Sequence, residues 1–187
     1  MHDLDDKMKP IVAVDLDGVV CDFDSAACDR FGPCDRTSYS LEKRWPNRHL
    51  EIRRFVTNPV TYLLLNKIPL AQYGIQKLID LGFEPIAVTA RPPSFLMWVI
   101  TKIWLAYHRI PIKRVLVVHF EKKVDIIKTL GAVAAIDDAP AHLQRLAEHG
   151  ISAIAFHQRW NSSCPVEYRI KDWEQFVLGD IPPCLLV

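Results

Sequence analysis

Ile11-Val12-Ala13-Val14-Asp15-Leu16-Asp17-Gly18-Val19-Val20 decides how this chain folds. An apolar run ends in two carboxylates two residues apart, and a glycine that permits a tight turn follows. In open α/β sheets, ligands bind beyond the carboxyl ends of the strands, which is where both acids fall. Alone, the pair could be no more than a polar strand end. A second segment changes that balance: Val133-Ala134-Ala135-Ile136-Asp137-Asp138 is another apolar run closed by acids. Two parallel strands that bring such ends together gather like charges, which is costly unless a cation sits among them. Hard oxygen ligands of this kind suit Mg²⁺. A third run, Ile86-Ala87-Val88-Thr89, ends in a hydroxyl and continues into Ala90-Arg91, while the basic pair Lys122-Lys123 precedes the second acidic strand. One sheet edge would then hold acids for a metal, with a hydroxyl and cations for an anionic ligand.

Outward from these motifs, short apolar runs alternate with helical segments. Strands are expected at residues 11–16, 85–89, 114–119, 133–136 and 153–156, and helices at 70–81, 93–108, 123–130 and 139–149. Pro69 suits a first helical position, and Gly82 a C-terminal stop. This alternation implies an α/β fold with a central parallel sheet covered on both faces. Residues 21–66 break the rhythm and are too long for a bare loop. They are read as a small helical cap inserted after the first strand, with at least one helix, near 41–56. The core would then comprise residues 10–20 and 67–178, with a short helix near 173–178, and residues 1–9 and 179–187 as terminal tails.

Composition narrows the function. A net charge of +1 argues against a protein that grips nucleic acid by bulk electrostatics, but a small anion needs only a local cluster of donors. The N-terminus lacks an apolar signal core, and runs such as 132–136 are too short to cross a bilayer, so a cytoplasmic protein without membrane partners is expected. Of the five cysteines, Cys21, Cys28 and Cys34 are spaced more widely than structural zinc ligands, so reduced thiols are expected.

The ordered set Asp15-x-Asp17, Thr89, a lysine and Asp137-Asp138 resembles the haloacid-dehalogenase-superfamily phosphatases over about residues 10–178. The resemblance implies a Rossmann-like three-layer sandwich and an Mg²⁺ cofactor. It also implies that Asp15 is the nucleophile forming an aspartyl-phosphate, that Asp17 is the acid/base, and that Asp17 gives its backbone carbonyl to the metal. Thr89, Ala90, Arg91 and Lys123 would bind phosphate, with Lys122 the competitor for the lysine role. Asp15, Asp17 and Asp137 would hold the metal. Asp138 would bind it through water or anchor the ligands from behind.

Residues 15–23, 156–161 and 168–173 further resemble the 5′(3′)-deoxyribonucleotidases and related bacterial and phage nucleotidases. The implied substrate is a small phosphorylated molecule, a (deoxy)nucleoside monophosphate. Phe23, Tyr39, Trp45, Phe55 and Tyr62 are candidates for an aromatic wall against a base. Arg44, Arg48, Arg53 and Arg54 read first as a solvated helix face. A second resemblance, of residues 89–92 and 135–138 with the Trp98–Trp104 region, is to the 3′-phosphatase domain of polynucleotide kinase-phosphatases. Against it stand the near-neutral charge and the absence of a kinase P-loop. A phosphatase of another small metabolite is the third alternative. A catalytically idle binding protein is disfavoured because both Asp15 and Asp17 are present.

Overall fold

The computed structural model describes residues 9–186. The expected tail at residues 1–9 therefore lies, except for Lys9, outside the described residues. Six parallel strands form one sheet: β1 (Ile11–Val14), β2 (Glu84–Thr89), β3 (Arg114–Val117), β4 (Ala134–Asp137), β5 (Ser152–Phe156) and β6 (Tyr168–Ile170). Their spatial order is β3-β2-β1-β4-β5-β6. The chain runs outward from β1 to one side, then returns to β1 and builds the other side. This reversal between β1 and β4 is the point where ligands bind in doubly wound folds. In register, Val14 lies beside Ala87 of β2 and Ile136 of β4, so the ends of all three strands meet at one edge.

The sheet is the middle of three layers, and strand alternation sorts its side chains between them. Val12, Val14 and Ile136 face α5 (Ala71–Asp80), α6 (Phe95–Tyr107) and α9 (Trp173–Leu178). Ala13, Ala135, Ile86 and Val88 face α7 (Lys123–Thr129) and α8 (Pro140–Glu148). The resulting architecture is the expected α/β Rossmann-like sandwich.

Between β1 and α5 lie α1 (Phe23–Phe31), α2 (Leu41–Arg44), α3 (His49–Thr57) and α4 (Pro59–Leu63). They close a small core of their own around Ala27, Phe31, Trp45 and Ile52. Tyr62 and Leu65 join the main core instead, and Trp104 Nε1 donates to Leu65 O at 2.8 Å.

Several boundaries differ from expectation, each for a local reason. The helical stretch expected near 41–56 is divided into α2 and α3, because Pro46 has no N–H and disfavours helical backbone at Trp45, whose φ is −131°. Helix α5 starts at Ala71 rather than Pro69, because Leu70 takes the left-handed conformation, φ 61°. Helix α6 starts at Phe95, where Ser94 caps it by accepting from Met97 N. Strand β6 was not anticipated; its three residues are too few to show alternation.

One close approach positions the site from a distance. Trp173 on α9 donates from Nε1 to Val19 O at 2.7 Å and so pins the turn after β1. Its ring lies against Gly74, where an added Cβ would stand 2.0 Å from a ring carbon. Gly74→Ala is therefore expected to destabilise by about 1–3 kcal/mol through overpacking. A thermal melt should show a drop of roughly 2–4 °C per kcal/mol for a chain of this size.

Candidate active site

Lys123 sits between the two acidic strand ends. Its Nζ is 2.8 Å from Asp15 Oδ2 and 2.7 Å from Asp137 Oδ2, ion-pair distances without hydrogen-bond alignment. Lys123 is fully buried, whereas Lys122 is exposed. Of the two lysines weighed from the sequence, only Lys123 reaches the acids. Helical spacing explains this, since Lys123 shares the inner face of α7 with Ile127.

The carboxylates differ sharply in their partners. Asp137 Oδ1 accepts from Ala139 N at 2.9 Å, and His142 Nδ1 lies 3.3 Å from Oδ2. Burial opposes the charge on Asp137, but Lys123 and His142 outweigh it and hold the carboxyl well below its usual range. Asp15 Oδ1 accepts from Leu16 N at 2.7 Å. Burial pushes the Asp15 carboxyl up to about 6; Lys123 pulls it down, while Asp137 and Asp17 push it further up. Asp138 is raised well above the usual range by burial and by the charges of Asp15 and Asp137, and its Oδ1 has no partner.

Oxygens of Asp15, Asp137 and Asp138 all lie within 4.8 Å of one another. This cluster fits a divalent cation, since Asp138 keeps an orphaned buried oxygen and Asp15 and Asp138 resist ionising together without one. Asp137 lies beside Lys123 and His142 and accepts from a backbone amide, whereas Asp138 Oδ1 has no protein partner.

The backbone around Asp138 is braced. Trp160 Nε1 and Asn161 Nδ2 both donate to Asp138 O, at 3.2 and 3.0 Å. Arg169 on β6 donates to Asn161 Oδ1 at 2.9 Å. Gly18, with φ +85°, lies directly beneath the carboxylate, and a Cβ there would be 2.3 Å from Asp138 Oδ2. Gly18→Ala is expected to cost about 1–3 kcal/mol in backbone strain and to displace Asp138. A falling thermal midpoint together with lost metal response would record both effects; a variant unchanged in each contradicts this packing.

A cleft of about 460 Å³ opens above these groups, lined by Asp15, Asp17, Asp138, Thr89 and Ala90. Thr89 is buried at the end of β2, and its Oγ1 has no partner. Arg91 also borders the cleft, but its guanidinium is engaged. Nε donates to Asp17 Oδ2 at 2.9 Å and Nη2 to Asp17 Oδ1 at 2.7 Å.

The inserted helices supply the outer wall. Phe23 and Tyr62 stack with centroids 5.8 Å apart, and Tyr39, beside Phe120 and Trp160, lines the same cleft. Trp45 and Phe55, two of the expected wall residues, turn instead into the small core around Phe31. Arg44 is not on a solvated face. It pairs with Asp24, and its guanidinium lies 4.7 Å above the Trp160 ring. His142, Asn161 and Trp160 were not singled out as site residues from the sequence. They reach the site by contacts remote in the chain, although Trp160 and Asn161 lie within the quoted 156–161 stretch.

All five cysteines are free, and Cys28 and Cys34 are 4.0 Å apart at sulfur. Among the described residues, the acidic cluster is the only grouping of three potential metal ligands.

The sequence matches the family model described as 5′ nucleotidase, deoxy (pyrimidine), cytosolic type C protein over residues 9–179. The chain belongs to this family. It is accordingly a haloacid-dehalogenase-type phosphatase of the nucleotidase group. No curated protein matches the sequence. Similar solved structures show the fold. A haloacid dehalogenase-like hydrolase from Streptococcus pneumoniae is 14% identical with a TM-score of 0.66, covering 91% of this chain and 97% of the other. D,D-heptose 1,7-bisphosphate phosphatase from Burkholderia thailandensis is 13% identical with a TM-score of 0.56, covering 91% and 97%. An L-2-haloacid dehalogenase from Xanthobacter autotrophicus, with chloropropionic acid covalently bound, is 10% identical with a TM-score of 0.58, covering 91% and 98%. No helix among the described residues is long and apolar enough to cross a membrane.

Proposed function

We propose that this protein is an Mg²⁺-dependent cytoplasmic 5′-nucleotidase that hydrolyses (deoxy)nucleoside monophosphates through an aspartyl-phosphate on Asp15. The observation that carries the reading is the buried Lys123–Asp15 pair beneath an aromatic-walled cleft, with the unpartnered Thr89 hydroxyl beside it. Residues 10–20 and 67–178 serve as the phosphatase core, and residues 21–66 as the cap that encloses the nucleoside.

In the first half-reaction an Asp15 carboxylate oxygen attacks phosphorus, and the bond to the ester oxygen breaks. Asp17 gives that oxygen its proton as the alcohol leaves. In the second half-reaction water attacks phosphorus, Asp17 takes the proton, and inorganic phosphate departs from a restored Asp15. Lys123 and the Thr89 hydroxyl hold phosphoryl oxygens as charge develops, and the Ala90 backbone borders the same pocket. The Asp15 and Asp138 carboxylates with the Asp17 carbonyl would hold Mg²⁺, while Asp137 fixes Lys123. Bound there, the cation supplies Lewis-acid stabilisation of the phosphoryl group.

Two measurements test the site and one tests the substrate. Mg²⁺ should raise the thermal midpoint of the wild type, and Asp138→Asn should lose most of that gain. Asp138→Asn with an undiminished shift removes the ligand assignment. Because protons and metal compete for the same carboxylates, the Mg²⁺-induced gain should fade as pH falls through about 6, where Asp15 titrates. For the substrate, turnover of nucleoside 5′- and 3′-monophosphates, sugar phosphates and 3′-phosphorylated oligonucleotides should be compared. Nucleotides should exceed sugar phosphates by about tenfold for each 1.4 kcal/mol of base stacking on Phe23 or Tyr39. Preference for a 3′-phosphorylated oligonucleotide, falling steeply with salt, would instead establish an end-processing phosphatase.

A further inference from the structure

Arg91 follows Thr89 by two residues, which is where a phosphate-binding cation is expected from sequence alone. Its surroundings assign it differently. The side chain is almost wholly buried, and four of its five N–H groups are committed. Two form a fork onto both carboxylate oxygens of Asp17, at 2.9 and 2.7 Å. A third goes from Nη1 to Thr101 Oγ1 at 2.9 Å, and a fourth from Nη2 to Cys21 Sγ at 3.2 Å. Thr101 itself donates to Met97 O at 2.8 Å, so its oxygen is oriented to accept from Arg91. The Tyr62 ring covers one face of the guanidinium, 4.5 Å from its carbon.

We propose that Arg91 is a positioning residue for the Asp17 carboxylate and not a phosphate ligand; this role rests on the phosphatase reading above. A planar fork holds both oxygens of a carboxylate at once, which fixes the plane of the group as well as its location. A carboxylate has about four acceptor positions, so Asp17 keeps free ones toward the cleft, where it remains partly exposed. Arg91 is in turn held by α6 through Thr101, by the turn after β1 through Cys21, and by α4 through Tyr62. The acid/base group is thereby tied to the sheet edge and to the inserted helices through one side chain. Sub-ångström orientation of such a group matters, because misplacement of a reacting atom by about 1 Å can cost roughly 100-fold in rate.

The test uses the full chain with Mg²⁺ and an aryl phosphate, and it compares wild type, Arg91→Lys, Asp17→Asn, the double variant and Thr101→Val. Lysine keeps the charge but cannot form the fork. Arg91→Lys should lower kcat by about tenfold or more. KM and the affinity for inorganic phosphate, measured by competitive inhibition, should stay within about twofold, as expected of a group acting through another. Thr101→Val, which loosens Arg91 without touching the cleft, should lower kcat by a smaller factor with the same unchanged phosphate affinity. In the Asp17→Asn background, Arg91→Lys should add little further loss, since the group it orients is already gone.

If phosphate affinity falls about tenfold in Arg91→Lys, or its kcat loss repeats in full on Asp17→Asn, Arg91 is a phosphate ligand and the proposal is overturned. Wild-type kcat in Arg91→Lys overturns the positioning role while leaving the phosphatase reading intact. Absence of Mg²⁺-dependent turnover in the wild type overturns both.

Discussion

Asp15→Asn is expected to reduce turnover of any phosphomonoester by at least about 10³-fold while preserving the fold. The amide nearly matches the carboxylate in shape, and its single oxygen can accept from Leu16 N, as Oδ1 does at 2.7 Å, or meet Lys123 Nζ, but not both. What is lost is the anionic nucleophile. Lys123 retains Asp137 as a counter-ion, so no buried cation is stranded. Removing one of the clustered carboxylates also relieves the repulsion that, with burial, lifts Asp15 and Asp138. A thermal midpoint equal to or above that of the metal-free wild type should therefore accompany the lost activity. The decisive companion measurement is acid-quenched labelling with a ³²P-phosphomonoester, which should trap a phosphoenzyme in the wild type and none in Asp15→Asn. A variant that keeps more than a few per cent of the rate would remove the covalent mechanism.

The fold was largely readable because apolar parallel strands announce themselves as continuous runs, and β1 and β4 each end in acids that mark the carboxyl edge. The pairings at the candidate site were less so, though a signal existed. Ala13 and Ala135 both face α7 and α8, and alternation carries that face to Asp15 and Asp137. Lys123, on the inner side of α7, meets both for that reason. Pro46 likewise marked the break between α2 and α3 in advance. What could not be read were contacts made by chance of chain path. Trp160 and Asn161 brace Asp138 from a turn after β5, and Arg91 forks onto Asp17 across 74 residues. No local pattern distinguishes an arginine aimed at a ligand from one aimed at a neighbouring acid.

Lys123→Met should be the most damaging single change, because it acts on stability as well as catalysis. Methionine fills a similar volume but leaves Asp15 and Asp137 buried without their shared counter-ion. Removing one partner of a buried ion pair typically costs about 3–5 kcal/mol, a large fraction of a domain's stability. The effect has a pH signature. Lys123 is the principal group pulling the carboxyls of Asp15 and Asp137 down, so its loss lifts Asp15 further and raises Asp137 from its depressed position in the folded state. A carboxyl raised above its unfolded value destabilises the fold at pH above the folded pKa, and protonation relieves that cost as pH falls. The folded pKa of Asp15 is already about 6 with Lys123 present, so relief in the variant should begin above that pH. Lys123→Met should thus melt far below the wild type near neutral pH, and the gap should narrow as pH approaches about 5. Mg²⁺ should restore part of the stability by neutralising Asp15 and Asp138, yet turnover should stay at least about 100-fold down because the phosphoryl oxygens lose their cation. A melting curve for Lys123→Met that is high and independent of pH would show that the buried lysine does not hold these acids together.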